Sequence, residues 1–217
     1  MTVETTATNA TTGTIVVSGT GRVEVEPDVA DLRLGVAIAR PTVEAARAAA
    51  AEAMAAILAA VTGAGVARRD VRTTLLSVQP RYDYRDGKAP ALTGYDLANV
   101  VEVTVRDLGA LGAVVDGALT AGATSLDGLT FRVDDPGEAE RAARTAAVGE
   151  ARARAEVLAA AAGLSIAGVE SIVEGGAPPA WPQPKAARLM AVADAATPIE
   201  AGSTEIAVTV TVTFRTA

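Results

Sequence analysis

The chain of 217 residues contains no cysteine and no histidine. This excludes disulfides, thiol nucleophiles, Cys/His zinc sites, haem ligation by His and the side chain most often used as a general base near neutral pH. Aromatic residues make up only 3% of the chain, with a single tryptophan, so its alanine-rich helices are expected to pack through small side chains. Basic residues are outnumbered 19 to 26, and the net charge of −7 argues against broad binding to nucleic acid or anionic lipid. No uncharged apolar run reaches about 18 residues, so no transmembrane helix is expected. The start, MTVETTATNATTGT, has neither a positive head nor an apolar core. Taken as it stands it is no secretory signal, and the expected location is the cytoplasm unless a signal was removed. Asn9-Ala10-Thr11 fits the glycosylation pattern but reads as chance in a threonine-rich tail.

What is present is alternation. In IVVSGTGRVEVEPDVADLRLGVAI (15–38) two runs of period two flank Pro27 and Asp28, which reads as a β-hairpin or as strands joined by a tight corner. A helix follows, capped by Thr42, with Val43, Ala46, Ala50, Met54, Ile57 and Val61 on one face and Gly63 and Gly65 at its end. Alternation returns from Val71 to Tyr84, with a slip between Leu75 and Leu76 that indicates a bulge. Asp86-Gly87 then turns the chain into a strand from about Leu92 to Arg106. There Leu97, Val101, Val103 and Val105 are in phase, and Asn99 shares their parity as a buried polar residue needing partners. Asp107 caps a second helix with Leu108, Leu111, Val114, Val115 and Leu119, and Leu129, Phe131 and Val133 form a strand.

From Leu32 to Val133 the order is strand, helix, strand, strand, helix, strand. That is the ferredoxin-like βαββαβ order, with helices on one face of an antiparallel sheet. A third helix carries Asp135 as cap, Pro136 at the first position, Glu138 as in a capping box, and an end at Gly163. Glu140 with Arg144, Glu150 with Arg154, and Arg152 with Glu156 lace one side of it. Ala143, Ala147, Ala151, Ala155 and Leu158 form the other, a seam suited to its own sheet or to a neighbouring subunit. A short strand at 169–173 leads into GGAPPAWPQPK, an extended connector, and then into one or two weak helical turns at 185–196. The end is a regular strand, with Ile206, Val208, Val210, Val212 and Phe214 on one face and threonines on the other. The expected class is α+β: a tail at 1–13, a ferredoxin-like lobe at 29–133, and a second, discontinuous lobe from 14–26 and 135–216, with 175–198 as connector.

No constellation for chemistry stands out. Gly19-Thr20-Gly21 begins like a dinucleotide fingerprint, but Glu24 holds the third glycine's place and no helix follows; no P-loop is present. Ser18 has no base to activate it. Glu24, Glu26, Asp28 and Asp31 could hold a hard cation only if they converged, and they read as a solvated edge. Catalytic residues, metal ligands and cofactors are therefore expected to be none. Tyr82, Tyr84 and Tyr95 near the hairpin tip, Ala151 and Ala155 on the third helix, and Trp181 on the proline arm are candidates for subunit contact.

Four segments in this order and spacing resemble the SIMPL-domain family over about residues 14 to 216. They are IVVSGTGRVEVEPDVADLRLGV, VRTTLLSVQPRYDY with GYDLANVVEVTVRD, the A-x-A-R-A-E-x-L-A run from Ala151 to Ala159, and TPIEAGSTEIAVTVTVTF. The resemblance implies a bacterial protein, often exported to the periplasm or outer envelope, without assigned enzymatic activity and in some members linked to oxidative stress or antigenicity. It also implies large ring-like or hollow homo-oligomers, and it supplies no catalytic residue. The expectation is a non-enzymatic protein whose partner is itself. The rival expectation is a module that captures a peptide or small ligand on a sheet edge or on the arm at 177–184.

Overall fold

Among the described residues of the computed structural model, 13–84, 89–175 and 199–217, seven strands form two antiparallel sheets accompanied by three α-helices. In chain order these are β1 (Thr14–Val25), β2 (Val29–Arg40), α1 (Val43–Gly63), β3 (Val71–Asp83), β4 (Ala91–Val105), α2 (Leu111–Thr120), β5 (Ser125–Arg132), α3 (Gly137–Ala161), β6 (Ile166–Glu174) and β7 (Thr204–Thr216). The α+β class read from the sequence holds. The tail at 1–12, the Asp86-Gly87 turn, Trp181 with the proline arm, and the helical turns expected after Lys185 lie outside the described residues.

The chain divides into two units, with passages among the described residues at 25–26, 134–135 and 202–203. One unit holds the four-stranded sheet in the order β3-β4-β2-β5 with α1 and α2. Every neighbouring pair is antiparallel, which is the ferredoxin-like arrangement. Thr42 caps α1 by accepting the Ala45 N–H at 3.2 Å. Of the predicted stripe, Ala46, Ala50, Met54, Ile57 and Val61 are buried, seated with Leu32, Leu34, Leu97, Val101, Val103, Leu111 and Val114 in one cluster, while Val43 in the first turn stays exposed. Each large aliphatic side chain fully buried there contributes about 1.5–3 kcal/mol. Asp107 caps a short 3₁₀ turn before α2 by accepting the Gly109 N–H at 3.0 Å. The second helix therefore starts three residues later than its cap suggests, and Leu119 is exposed.

The other unit holds the three-stranded sheet in the order β1-β7-β6 under α3. Its core is Val210, Val212 and Phe214 of β7 against Ala147, Ala151 and Ala155 of α3, with Ile15 and Val17 at its margin. All three predicted ion pairs along α3 are present, at 3.2, 2.9 and 2.6 Å. Asp135 accepts the Gly137 N–H at 3.0 Å, as a cap would, but Pro136 lies just outside the helix instead of at its first position.

Three local expectations change. β1 and β2 do not pair with each other: β1 pairs with β7, while β2 pairs with β4 and β5, so Pro27 and Asp28 mark a passage between sheets and no hairpin. Alternation identifies a strand but is silent about its neighbour. The bulge in β3 falls at Thr74, because the register steps from Thr73 to Leu75, one position before the slip seen in the sequence. Leu158 is half exposed, and Ala159 takes its place on the buried face. A helix turns about 100° per residue, so a seam that advances by four ends at Ala159 and not beside it.

Candidate functional site

Of the acidic residues near β2, Asp28 and Asp31 are each engaged separately, and Glu26 is exposed. Asp28 accepts the backbone N–H of Asp134 at 2.7 Å. Asp31 accepts from the Arg132 Nε at 2.6 Å and from the Thr104 hydroxyl at 2.5 Å. Arg132 also donates to Asp134 at 2.8 Å, and Arg106 joins Asp134 at 2.5 Å to Asp70 at 3.2 Å. The result is an alternating row, Asp31, Arg132, Asp134, Arg106, Asp70, along one end of the four-stranded sheet. Glu24 belongs to the other unit, where its register partner is Glu205. Among the described residues no group of three or more carboxylates could hold a metal ion.

This row is electrostatic bracing. Burial pushes the Asp31 carboxyl up, but hydrogen bonds from Arg132 and Thr104, with the charges of Arg132 and Arg72, outweigh it and hold the group below its ordinary value. Asp134 is lowered by hydrogen bonds from Arg106 and Arg132. A carboxylate lowered in the folded state stabilises the fold above its unfolded pKa, about 3.9, and that contribution is lost as pH falls through the folded value. The unfolding midpoint should therefore stay nearly flat above about pH 5 and fall below about pH 4. Asp31→Asn should give a shallower acid limb; thermal melts across that range check it. No sequence motif announced Arg132, Asp134, Arg106 and Asp70, because strand register, not spacing, brings them together.

Gly19 and Gly21 have a different use from phosphate binding. A Cβ on Gly21 would overlap the Ala143 carbonyl oxygen and lie 2.6 Å from the Ala147 nitrogen. One on Gly19 would overlap the Ala147 carbonyl and lie 2.5 Å from the Ala151 nitrogen. The glycines and alanines together let α3 rest directly on β1. Ala151 and Ala155 are 0% exposed, so their methyl groups are taken up inside the chain's own unit. Ser18 pairs through its hydroxyl with Thr211 at 3.1 Å, and Thr20 pairs with Thr209 at the same distance. From α3, Glu150 accepts the Thr20 N–H at 2.5 Å and Arg154 donates to the Ser18 carbonyl at 2.7 Å.

One open surface is the β3–β4 hairpin. Helix α1 sits over β2 and β4, while β3 is an edge strand and nearly all of it is exposed. Leu76, Val78, Pro80 and Tyr82 alternate along one face, with Leu76 68% exposed, and Leu75 faces the other way past the bulge. Tyr82 and Tyr84 are in tilted ring contact, centroids 6.3 Å apart, and Tyr84 is 74% exposed. Tyr95 stands across from Pro80 in the register, and Leu92 across from Tyr82. Asn99, across from Leu76, has a buried Oδ1 without a hydrogen-bond partner among the described residues. The parity argument had marked that residue.

At the base of the hairpin a cleft of about 540 Å³ runs between α1 and β3, lined by Ala55, Leu58, Ala59, Thr62, Arg68, Val71, Thr73 and Val101. One helix, α1, is long and apolar enough by composition to cross a bilayer; in the structure its buried stripe rests on the sheet.

These features define a two-unit α+β protein whose conspicuous surfaces are strand edges and apolar faces. The chain belongs to the SIMPL family, described as proteins of unknown function (DUF541), whose profile matches residues 15–214. The 26 kDa periplasmic immunogenic protein of Brucella melitensis is 36% identical over 209 residues, covering 92% of this chain and 83% of that protein. Its counterpart in Brucella abortus is equally similar. The uncharacterized protein YggE of Escherichia coli K12 is 37% identical over 145 residues, 67% of this chain and 58% of that protein. The family is thus bacterial and includes periplasmic members, and none of these relatives carries the name of an enzyme. The expectation of a cytoplasmic location finds no support among them.

Proposed function

We propose that the protein is a non-enzymatic, self-assembling component of the bacterial cell envelope that forms a homo-oligomer, a ring or hollow particle, through its β3–β4 hairpin. One observation carries this reading. The edge strand β3 and the residue after it present Leu76, Val78, Tyr82 and Tyr84 to the outside along one hairpin, with Leu92 across from Tyr82 also exposed. Contiguous apolar surface of this kind marks an interaction site, and an unpaired strand edge is a template for another chain. The envelope location rests on the periplasmic name of the Brucella relatives. Trp181 remains a proposed further anchor.

Light scattering coupled to size exclusion tests the assembly. The expected mass at micromolar concentration is several protomers, and a single-protomer mass would refute it.

A further inference from the structure

We infer that the cleft between α1 and β3 is a binding site for a small amphipathic monoanion, an organic carboxylate with a medium-length apolar tail. Its walls are methyl-rich: Ala55, Leu58 and Ala59 from α1, Val71 from β3 and Val101 from β4. The volume of about 540 Å³ lies in the range of small-molecule sites. A single cation, Arg68, lines it.

The charges around the cleft are settled except for that one. Arg72 is held by Glu102 at 2.6 Å, Asp70 by Arg106 at 3.2 Å, and Arg69 lies 3.9 Å from Asp70. Arg68 has no carboxylate or hydrogen-bond partner among the described residues, although it stands in a chain with more acidic than basic groups. The Thr62 hydroxyl is spent on the Leu58 carbonyl at 2.8 Å, which leaves the helix wall apolar. The Thr73 hydroxyl is the remaining polar group of the lining.

A guanidinium beside an apolar trough selects for one anionic head and a hydrocarbon body. The planar fork takes a carboxylate through two hydrogen bonds, and the methyl groups take the tail. One cation matches a singly charged head; a phosphate ester or a polyanion would leave charge uncompensated against apolar walls. The site is independent of the assembly reading, since it is complete within one copy.

Titration calorimetry of the full chain with sodium octanoate tests it, with 1-octanol and octylammonium as controls. Saturable binding of octanoate, with both controls at least about tenfold weaker, is expected from the loss of one charge-assisted pair. Arg68→Gln should weaken octanoate about tenfold while leaving octanol unchanged. Ala59→Phe, at an exposed helix position lining the cleft, should abolish binding of octanoate without altering the circular dichroism spectrum. A photoreactive octanoate analogue should label peptides from 55–73. No saturable heat, equal binding of octanol, indifference to Arg68→Gln, or labelling elsewhere would each overturn the assignment. None of these readouts depends on oligomeric mass.

Discussion

Gly21→Val should destabilise the α3-bearing unit by about 3 kcal/mol or more, a large effect for one added side chain. The reason is that the new atoms meet backbone. The Ala143 carbonyl and the Ala147 nitrogen, 2.6 Å from a Cβ at Gly21, belong to the helix itself and cannot swing aside. Relief requires the whole of α3 to lift from β1, which would open the cluster of Ala147, Ala151, Val210, Val212 and Phe214. Gly149→Ala supplies the contrast: it lies within α3, its added Cβ meets nothing within 4 Å, and helix propensity favours it by about 0.5–1 kcal/mol. Urea unfolding of the two variants checks both signs. Equal midpoints would mean that α3 and β1 do not approach so closely.

The second large effect concerns assembly. Leu76→Asp combined with Tyr82→Asp should leave the fold intact, because both side chains already face outward, yet weaken subunit association on the order of a hundredfold or more. Each buried apolar side chain at an interface is worth about 1.5–3 kcal/mol, and placing a charge there removes that gain and adds a desolvation penalty. The measurement is the mass distribution across a dilution series, with circular dichroism as the control for folding. An unchanged mass with both substitutions in place would remove the hairpin from the assembly.

Periodicity made the elements legible and left their partners hidden. The α1 stripe from Ala46 to Val61 and the β7 face from Val210 to Phe214 could be named from spacing, because burial on one side writes itself directly into residue type. The alanine run of α3 was equally plain, but whether it met its own sheet or another chain depended on Gly19 and Gly21, more than a hundred residues earlier. Those glycines imitate a nucleotide-binding fragment in isolation; only beside the alanines do they describe a helix resting on a strand. The row from Asp31 to Asp70 left no trace in the sequence for a related reason. Its members come from separate elements, and the register that aligns them is a property of the folded sheet. Arg68 belongs to the same class, since its lack of a partner becomes visible only when every neighbouring carboxylate has been assigned.

The Glu150 and Arg154 contacts to β1 have a bearing on unwanted edge-to-edge pairing. β1 is the outermost strand on its side, and an open strand edge is a place where another strand could add. By occupying the Thr20 donor and the Ser18 acceptor, one turn of helix does to that rim what a terminating group does to a growing polymer. Of the ways in which one strand could add to another, pairing along this rim is closed at the Ser18 and Thr20 positions by the chain's own helix.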